Sequence, residues 1–150
     1  MKLRAPMPSL DGAKWLKGRG WTNDMLTGKP TFIHFWSVSC NLCKHGLDAI
    51  NHLADQYAGD LNIIAVHMPR TEEDVIVDNV KKVVKYYDML QPIVIDNEFL
   101  ITDRFNNRYV PSYYLFDDKG LLRHYQAGGS GLRILEKRIE RVVHEHKGMV

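Results

Sequence analysis

The sequence predicts an α/β fold, a central mixed β-sheet flanked by helices. Three observations lead there. Thr31–Trp36 and residues 61–68 are short apolar runs rich in β-branched and aromatic side chains, the pattern of strands buried on both faces. Each is followed by a stretch with apolar residues at helical spacing. Late in the chain, Ser112–Phe116 and residues 121–126 read as two strands joined by Asp117-Asp118-Lys119-Gly120, a hairpin signal. Strands separated by helices pair in parallel through right-handed crossovers, and the hairpin adds antiparallel strands.

The elements follow in order. Residues 1–14, with Pro6, Pro8 and Gly12, read as loop, and residues 11–20 have room for a short hairpin. Residues 22–26 suggest a helical turn before Gly28-Lys29-Pro30. After the first strand, Leu42, Gly46, Ile50, Leu53 and Tyr57 mark one face of a helix over 41–57, closed by Gly59-Asp60. The second strand stops at Pro69. Thr71 and Asp74 have the spacing of a capping box, and Glu72 and Glu73 suit a helix N-terminus. Val77, Val80, Val84 and Tyr87 then share a helix face. A short strand is expected over 92–96 and a short helix over 97–105, closed by Asn106-Asn107. Gly128-Gly129-Ser130-Gly131 is a loop, and Leu132, Leu135, Ile139, Val142 and Val143 line an amphipathic helix running to His146. The expected order is β-α-β-α-β-α-β-β-α, with helices on both faces and one domain over residues 1–150.

Composition narrows the function classes. The 150 residues are 45% hydrophobic, enough to bury a core without covalent help. The 20 basic and 18 acidic residues are interspersed, giving a net charge of +2, and no basic stripe points to nucleic acid. No run of about 18 apolar residues offers a membrane span. Lys2 and Arg4 are followed by no apolar segment of secretory-signal type. The expectation for a full-length chain is therefore the cytoplasm, where thiols are kept reduced.

The chemistry centres on Cys40-Asn41-Leu42-Cys43, the chain's two cysteines. One helical turn brings both sulfurs to one end and one face of the helix. A bridge closing so short a loop constrains the unfolded chain little, so the pair suits a disulfide that opens and closes. Partial positive charge and unpaired N–H groups at the helix N-terminus stabilise a thiolate and lower the first thiol's pKa. Cys40, one turn ahead and more exposed, is then the attacking thiol, and the deeper Cys43 resolves the mixed disulfide. Lys44 adds positive charge nearby. Two alternatives stand beside this reading: a pair of buried structural cysteines, and half of a metal site completed by His34, His45 or His67. His34, on a buried strand, also reads as an ordinary core residue.

The second element is Val110-Pro111, just before a strand, where a missing N–H does least harm. A cis bond there would set the Pro111 ring against the sulfurs and leave the Val110 backbone to pair with an extended substrate. The other reading is a trans proline in a loop.

Phe35-Trp36, Ser39-Cys40-Asn41-Leu42-Cys43-Lys44, Ala65 to Arg70, and Val110-Pro111 followed by the hairpin and Gln126-Ala127-Gly128-Gly129-Ser130 resemble the thioredoxin superfamily. The likeness is to its TlpA/ResA-like group and covers nearly the whole chain. It implies a thioredoxin fold with an N-terminal β extension and a helix-bearing insertion after the second strand. It implies disulfide oxidoreductase activity without a cofactor, Cys40 as nucleophile, Cys43 as resolving thiol, Pro111 as cis, and Trp36 packed beside the active-site turn. The implied partners are disulfide-containing proteins and an electron donor, either a thioredoxin reductase or a small thiol. An apolar rim of Trp36, Leu42 and Val110 is expected around the site.

Departures from the family pattern bear on the proton relay and on redox direction. His34 replaces the buried Asp six residues before the first cysteine; a neutral imidazole with a pKa nearer neutrality would do the same task. Gly46 stands where ResA-type relatives carry an acid. Asn41-Leu42 replaces Gly-Pro, and Ser39 replaces Trp. The leading reading is a reductant of protein disulfides, with an oxidising or isomerising member as the alternative. A peroxidase fits less well: Ser37-x-x-Cys40 matches the end of a peroxiredoxin motif, but its proline is Ile33 here. A metal-delivery protein would use Cys40, Cys43 and a histidine.

Overall fold

The computed structural model describes residues 1–148; residues 149–150, the end of the expected domain, lie outside the described residues. Six strands form one mixed sheet in the order β1-β4-β3-β2-β5-β6. The strands are β1 (Trp15–Lys17), β2 (Thr31–Trp36), β3 (Asn62–His67), β4 (Ile93–Ile95), β5 (Ser112–Phe116) and β6 (Leu122–Ala127). The helices are α1 (Asn23–Leu26), α2 (Asn41–Gln56), α3 (Val77–Tyr86), α4 (Leu100–Phe105) and α5 (Leu132–His146), with a 3-10 turn over Glu73–Val75. Strands β2, β3 and β4 are parallel, and β1, β5 and β6 run antiparallel to their neighbours. This is the thioredoxin-like α/β architecture that the hydrophobic pattern and the resemblance implied.

All six residues of β2 are buried, as a central strand covered on both faces requires. Strand alternation divides them between two layers. Ile33 and Phe35 pack with Leu10, Leu26 of α1, and Ile101 and Phe105 of α4. Phe32 packs with Ile50 and Leu53 of α2 and with Leu135, Ile139, Val142 and Val143 of α5. Trp36 joins both cysteines, Leu47 and Val80 of α3 at the C-terminal end of the parallel strands.

The differences from expectation lie at the edges. Residues 11–20 form no hairpin: β1 pairs with β4 instead, because the exposed edge of β4 offers a ladder closer than any local return. At the opposite edge, Arg4 N donates to Leu122 O (2.7 Å), Leu122 N to Ala5 O (2.9 Å) and Met7 N to Gly120 O (2.8 Å). The Thr71/Asp74 box closes in both directions at 3.3 Å, but it lies at the 3-10 turn, and α3 begins later, at Val77. The short helix begins at Leu100, its first amides taken by Asp96.

Candidate active site

The redox turn lies where β2 ends and α2 begins, at the C-terminal edge of the parallel strands. Cys40 and Cys43 form a disulfide with their Cα atoms 5.2 Å apart. Cys40 is the N-cap of α2, and the Cys43 N–H donates to its sulfur at 3.1 Å. An otherwise unpaired helix amide therefore points at the sulfur, the arrangement that stabilises a thiolate. The expected difference in exposure is small, since Cys40 is 4% and Cys43 2% exposed in this oxidised form.

Hydrogen bonds hold the turn ahead of Cys40 residue by residue. Val38 N–H donates to Nε2 of His67 at 3.1 Å, Ser39 N–H to Asp74 Oδ1 at 3.1 Å, and Cys40 N–H to the Ser37 carbonyl at 3.1 Å. The Ser39 hydroxyl donates to Asp74 Oδ2 at 2.7 Å. Ser37 is fully buried and donates its hydroxyl to the Met68 carbonyl, so it is committed to the backbone. Burial pushes the His67 imidazole down to about 4, partly offset by the Asp74 charge. Burial alone would raise the Asp74 carboxyl, but hydrogen bonds from Arg70 N, Ser39 and Thr71 N, with the nearby His67, bring it below the ordinary carboxylate value.

The second element arrives through the sheet. Phe35 pairs with Ser112 across β2 and β5, which sets Pro111 at the level of Trp36, the end of the sheet that carries Cys40. The Val110–Pro111 bond is cis. Asn107 Nδ2 and the Ser112 hydroxyl donate to the Tyr109 carbonyl, and Gly128 N–H to the Pro111 carbonyl. No hydrogen bond among the described residues uses the Val110 backbone. The Pro111–Gly128 bond carries the glycine loop to the redox turn, where a Cβ on Gly129 would lie 2.9 Å from Leu42 Cδ2.

Several expected residues take other places. Trp36 packs against the turn but is 1% exposed, so it is the floor of the site and no part of an exposed rim. The exposed apolar groups here are Leu42 (55%) and Tyr109 (62%), with Val110 half-buried between the core and the surface. Asn41 is exposed as the first residue of α2, and Lys44 faces a cleft of about 820 Å³ that Val38, Ser39, Glu72, Glu73 and Lys82 also line. His34 departs most from expectation. Its only polar partner among the described hydrogen bonds is the Gln91 amide, placed to donate to Nε2 at 3.1 Å, and burial pushes its pKa down to about 3. The imidazole is therefore neutral at pH 7 and a weaker base than the near-neutral group expected there. At Gly46 space is tight: a Cβ there would meet the Tyr113 hydroxyl at 3.1 Å. Among the described residues no group of three or more His, Cys, Asp or Glu side chains is placed to hold a metal ion.

A disulfide at a helix N-terminus beside a cis-proline, on this sheet, defines a thioredoxin-like thiol-disulfide oxidoreductase. The chain belongs to the AhpC/TSA family, whose model matches residues 4–125. It is 50% identical over 146 residues to the thiol-disulfide oxidoreductase YkuV of Bacillus subtilis strain 168, covering 97% of this chain and 99% of the relative. The solution structure of a thioredoxin-like protein in the oxidised form superposes with a TM-score of 0.88 at 50% identity, over 97% of this chain and 99% of that one. A putative thiol:disulfide interchange protein DsbE from Chlorobium tepidum shares the fold, with a TM-score of 0.81 at 18% identity over 95% and 99% of the two chains. Enzymes of this class act on disulfide-containing proteins. No helix among the described residues is long and apolar enough to cross a membrane.

Proposed function

We propose that the Cys40–Cys43 pair works in the reducing direction, donating two electrons to disulfides of partner proteins. The observation that carries the assignment of roles is the Cys43 N–H on the Cys40 sulfur. The Cys40 thiolate attacks a substrate disulfide, forming a mixed disulfide and releasing one substrate thiolate, which takes a proton. Cys43, deprotonated, attacks the Cys40 sulfur, releasing the second substrate thiol and leaving the Cys40–Cys43 bridge. What supports that direction is how little else favours the thiolate. No Lys, Arg or His side chain among the described residues hydrogen-bonds to either sulfur, and both are buried. A thiolate held by one amide leaves the disulfide comparatively stable, which makes the dithiol a donor.

Around the pair, Val110 pairs with an extended substrate segment. Pro111 closes the site beside the sulfurs, Trp36 supports it from below, and Leu42, with Asn41 and Lys44 on the same turn, meets the substrate. A thioredoxin reductase or a small thiol regenerates the dithiol, in a reducing compartment such as the cytoplasm.

Equilibration with a glutathione buffer tests the direction. A potential near or below about −230 mV agrees with a reductant, and one between about −120 and −180 mV assigns an oxidising or isomerising role instead. Cys43→Ser is expected to accumulate mixed disulfides with substrate and Cys40→Ser to accumulate none; the opposite pattern reverses the roles.

A further inference from the structure

The 3-10 turn between β3 and α3 places a buried carboxylate against the redox turn. Asp74 is 1% exposed and accepts four hydrogen bonds: Ser39 N–H at 3.1 Å, the Ser39 hydroxyl at 2.7 Å, Arg70 N–H at 2.9 Å and Thr71 N–H at 3.3 Å. Two of the four come from the residue immediately before Cys40. The exposed Arg70 sends its guanidinium to the same Ser39 hydroxyl at 3.3 Å. The carboxylate is bonded to the residue next to Cys40, so its charge acts at short range on a buried sulfur. Two influences therefore meet there: the N–H of Cys43, which favours a thiolate, and the Asp74 anion, which opposes it.

We propose that Asp74 is a positioning residue of the redox pair: it holds Ser39, fixes the backbone entering Cys40, and sets an anion beside the sulfur that biases the pair toward its disulfide. The helix-bearing insertion thereby tunes how strongly the dithiol donates electrons. This rests on Cys40 being the attacking thiol of a reductant.

The charged and titratable groups around the turn are Lys44 on α2, His67 at the end of β3, Arg70, Glu72, Glu73 and Asp74 on the segment after it, and Lys82 on α3. His67 at about 4, and Asp74 below the ordinary carboxylate value, both titrate below the range in which a thiol is followed. Alkylation of the reduced protein by iodoacetamide between pH 6 and pH 9 therefore reads the Cys40 thiol (working range chosen around the free-thiol value of about 8.5). Asp74→Asn keeps the shape and one oxygen acceptor and removes the charge, with its amide nitrogen set where a carboxylate oxygen accepted. Its alkylation pKa is expected to fall by about half a unit to one unit, which raises the thiolate fraction at pH 7 by at most about three- to tenfold. The exchange constant with glutathione moves up to about tenfold toward the dithiol, about 30 mV more oxidising.

Arg70→Gln, on an exposed side chain, removes a counter-charge and is expected to move the pKa the other way, slowing alkylation about twofold, with Arg70→Lys restoring it. Glu73→Gln removes a like charge from the same turn, whose side chain makes no bond to Ser39, and should shift the pKa by less than about a third as much as Asp74→Asn. A purely structural Asp74 gives the opposite sign: a loosened turn loses the Cys43 N–H, and the pKa rises or stays. That result, or an Arg70→Gln pKa that falls, overturns the inference. A wild-type protein that forms no Cys40–Cys43 bridge with glutathione overturns the oxidoreductase reading itself, whereas a normal wild type with an unmoved Asp74→Asn overturns this inference alone.

Discussion

The burial of His34 has a consequence that a stability measurement reads directly. In the unfolded chain an imidazole titrates near 6.5, and in the folded protein burial holds His34 near 3. Below pH 6.5 the unfolded state therefore takes up a proton that the folded state refuses. The folded pKa is depressed, so full stability is present above 6.5 and is lost progressively as pH falls toward 3. Each pH unit inside that window costs about 1.4 kcal/mol, so His34 accounts for about 2 kcal/mol of lost stability between pH 7 and pH 5. His67, held near 4, adds a loss of about the same size over that interval. His34→Gln removes the first contribution and keeps a polar group for Gln91. Its stability at pH 7 is expected to be lower, through lost packing against Phe32, whose ring stacks on the imidazole at 5.9 Å. Its further loss from pH 7 to pH 5 is expected to be about half that of the wild type. Urea denaturation at the two pH values, with m compared to confirm two-state unfolding, measures both numbers. A variant as acid-sensitive as the wild type would refute the reasoning, since His34 would then be charged in the fold or already uncharged in the unfolded chain. The same burial leaves the pH–rate profile of the resolving step without an inflection from His34 near neutrality.

Two further outcomes are expected away from the pair itself. Gly129→Ala would set a Cβ 3.1 Å from Leu42 Cβ, an atom fixed to the first turn of α2, so KM for a protein substrate should rise while the reduction potential stays within about 10 mV; a moved potential with unchanged KM contradicts this placement. Asp96 is 4% exposed and takes Ile101 N–H at 3.0 Å, Thr102 N–H at 2.7 Å and the Thr102 hydroxyl at 2.6 Å. Asp96→Ala should cost about 2 kcal/mol in chemical denaturation, and a cost within about 0.5 kcal/mol of zero would show that α4 caps itself by other means.

Much of this protein is written locally. Thr31–Trp36 reads as a doubly buried strand because five of its six residues are apolar or β-branched and leave no polar face to present. Leu132–His146 reads as a helix because its apolar residues return every three to four positions and face one sheet. Cys40 and Cys43 announce themselves by spacing, since one helical turn is enough to place both sulfurs. Trp36 is different: an aromatic side chain next to a redox turn is equally compatible with floor and rim, and only the packing of α2 and α3 over β2 decided for the floor.

What the local pattern could not carry is anything built from residues far apart in the chain. Asp74 stands 35 residues from Ser39, and His67 stands 29 from Val38. In sequence Asp74 is half of a capping box and His67 the end of an apolar strand, and both descriptions are true of the fold. Their grip on the redox turn exists only because parallel pairing sets Trp36 beside His67 and the chain after β3 turns back over the same edge. The sequence alone determined the central strands, the long helices, the reactive pair and the class of chemistry, because those depend on periodicity and short spacing. The tertiary structure alone decided the charge and hydrogen bonding around the sulfurs and the protonation of the buried histidines, because electrostatics in a protein depends on distance and burial rather than on order along the chain.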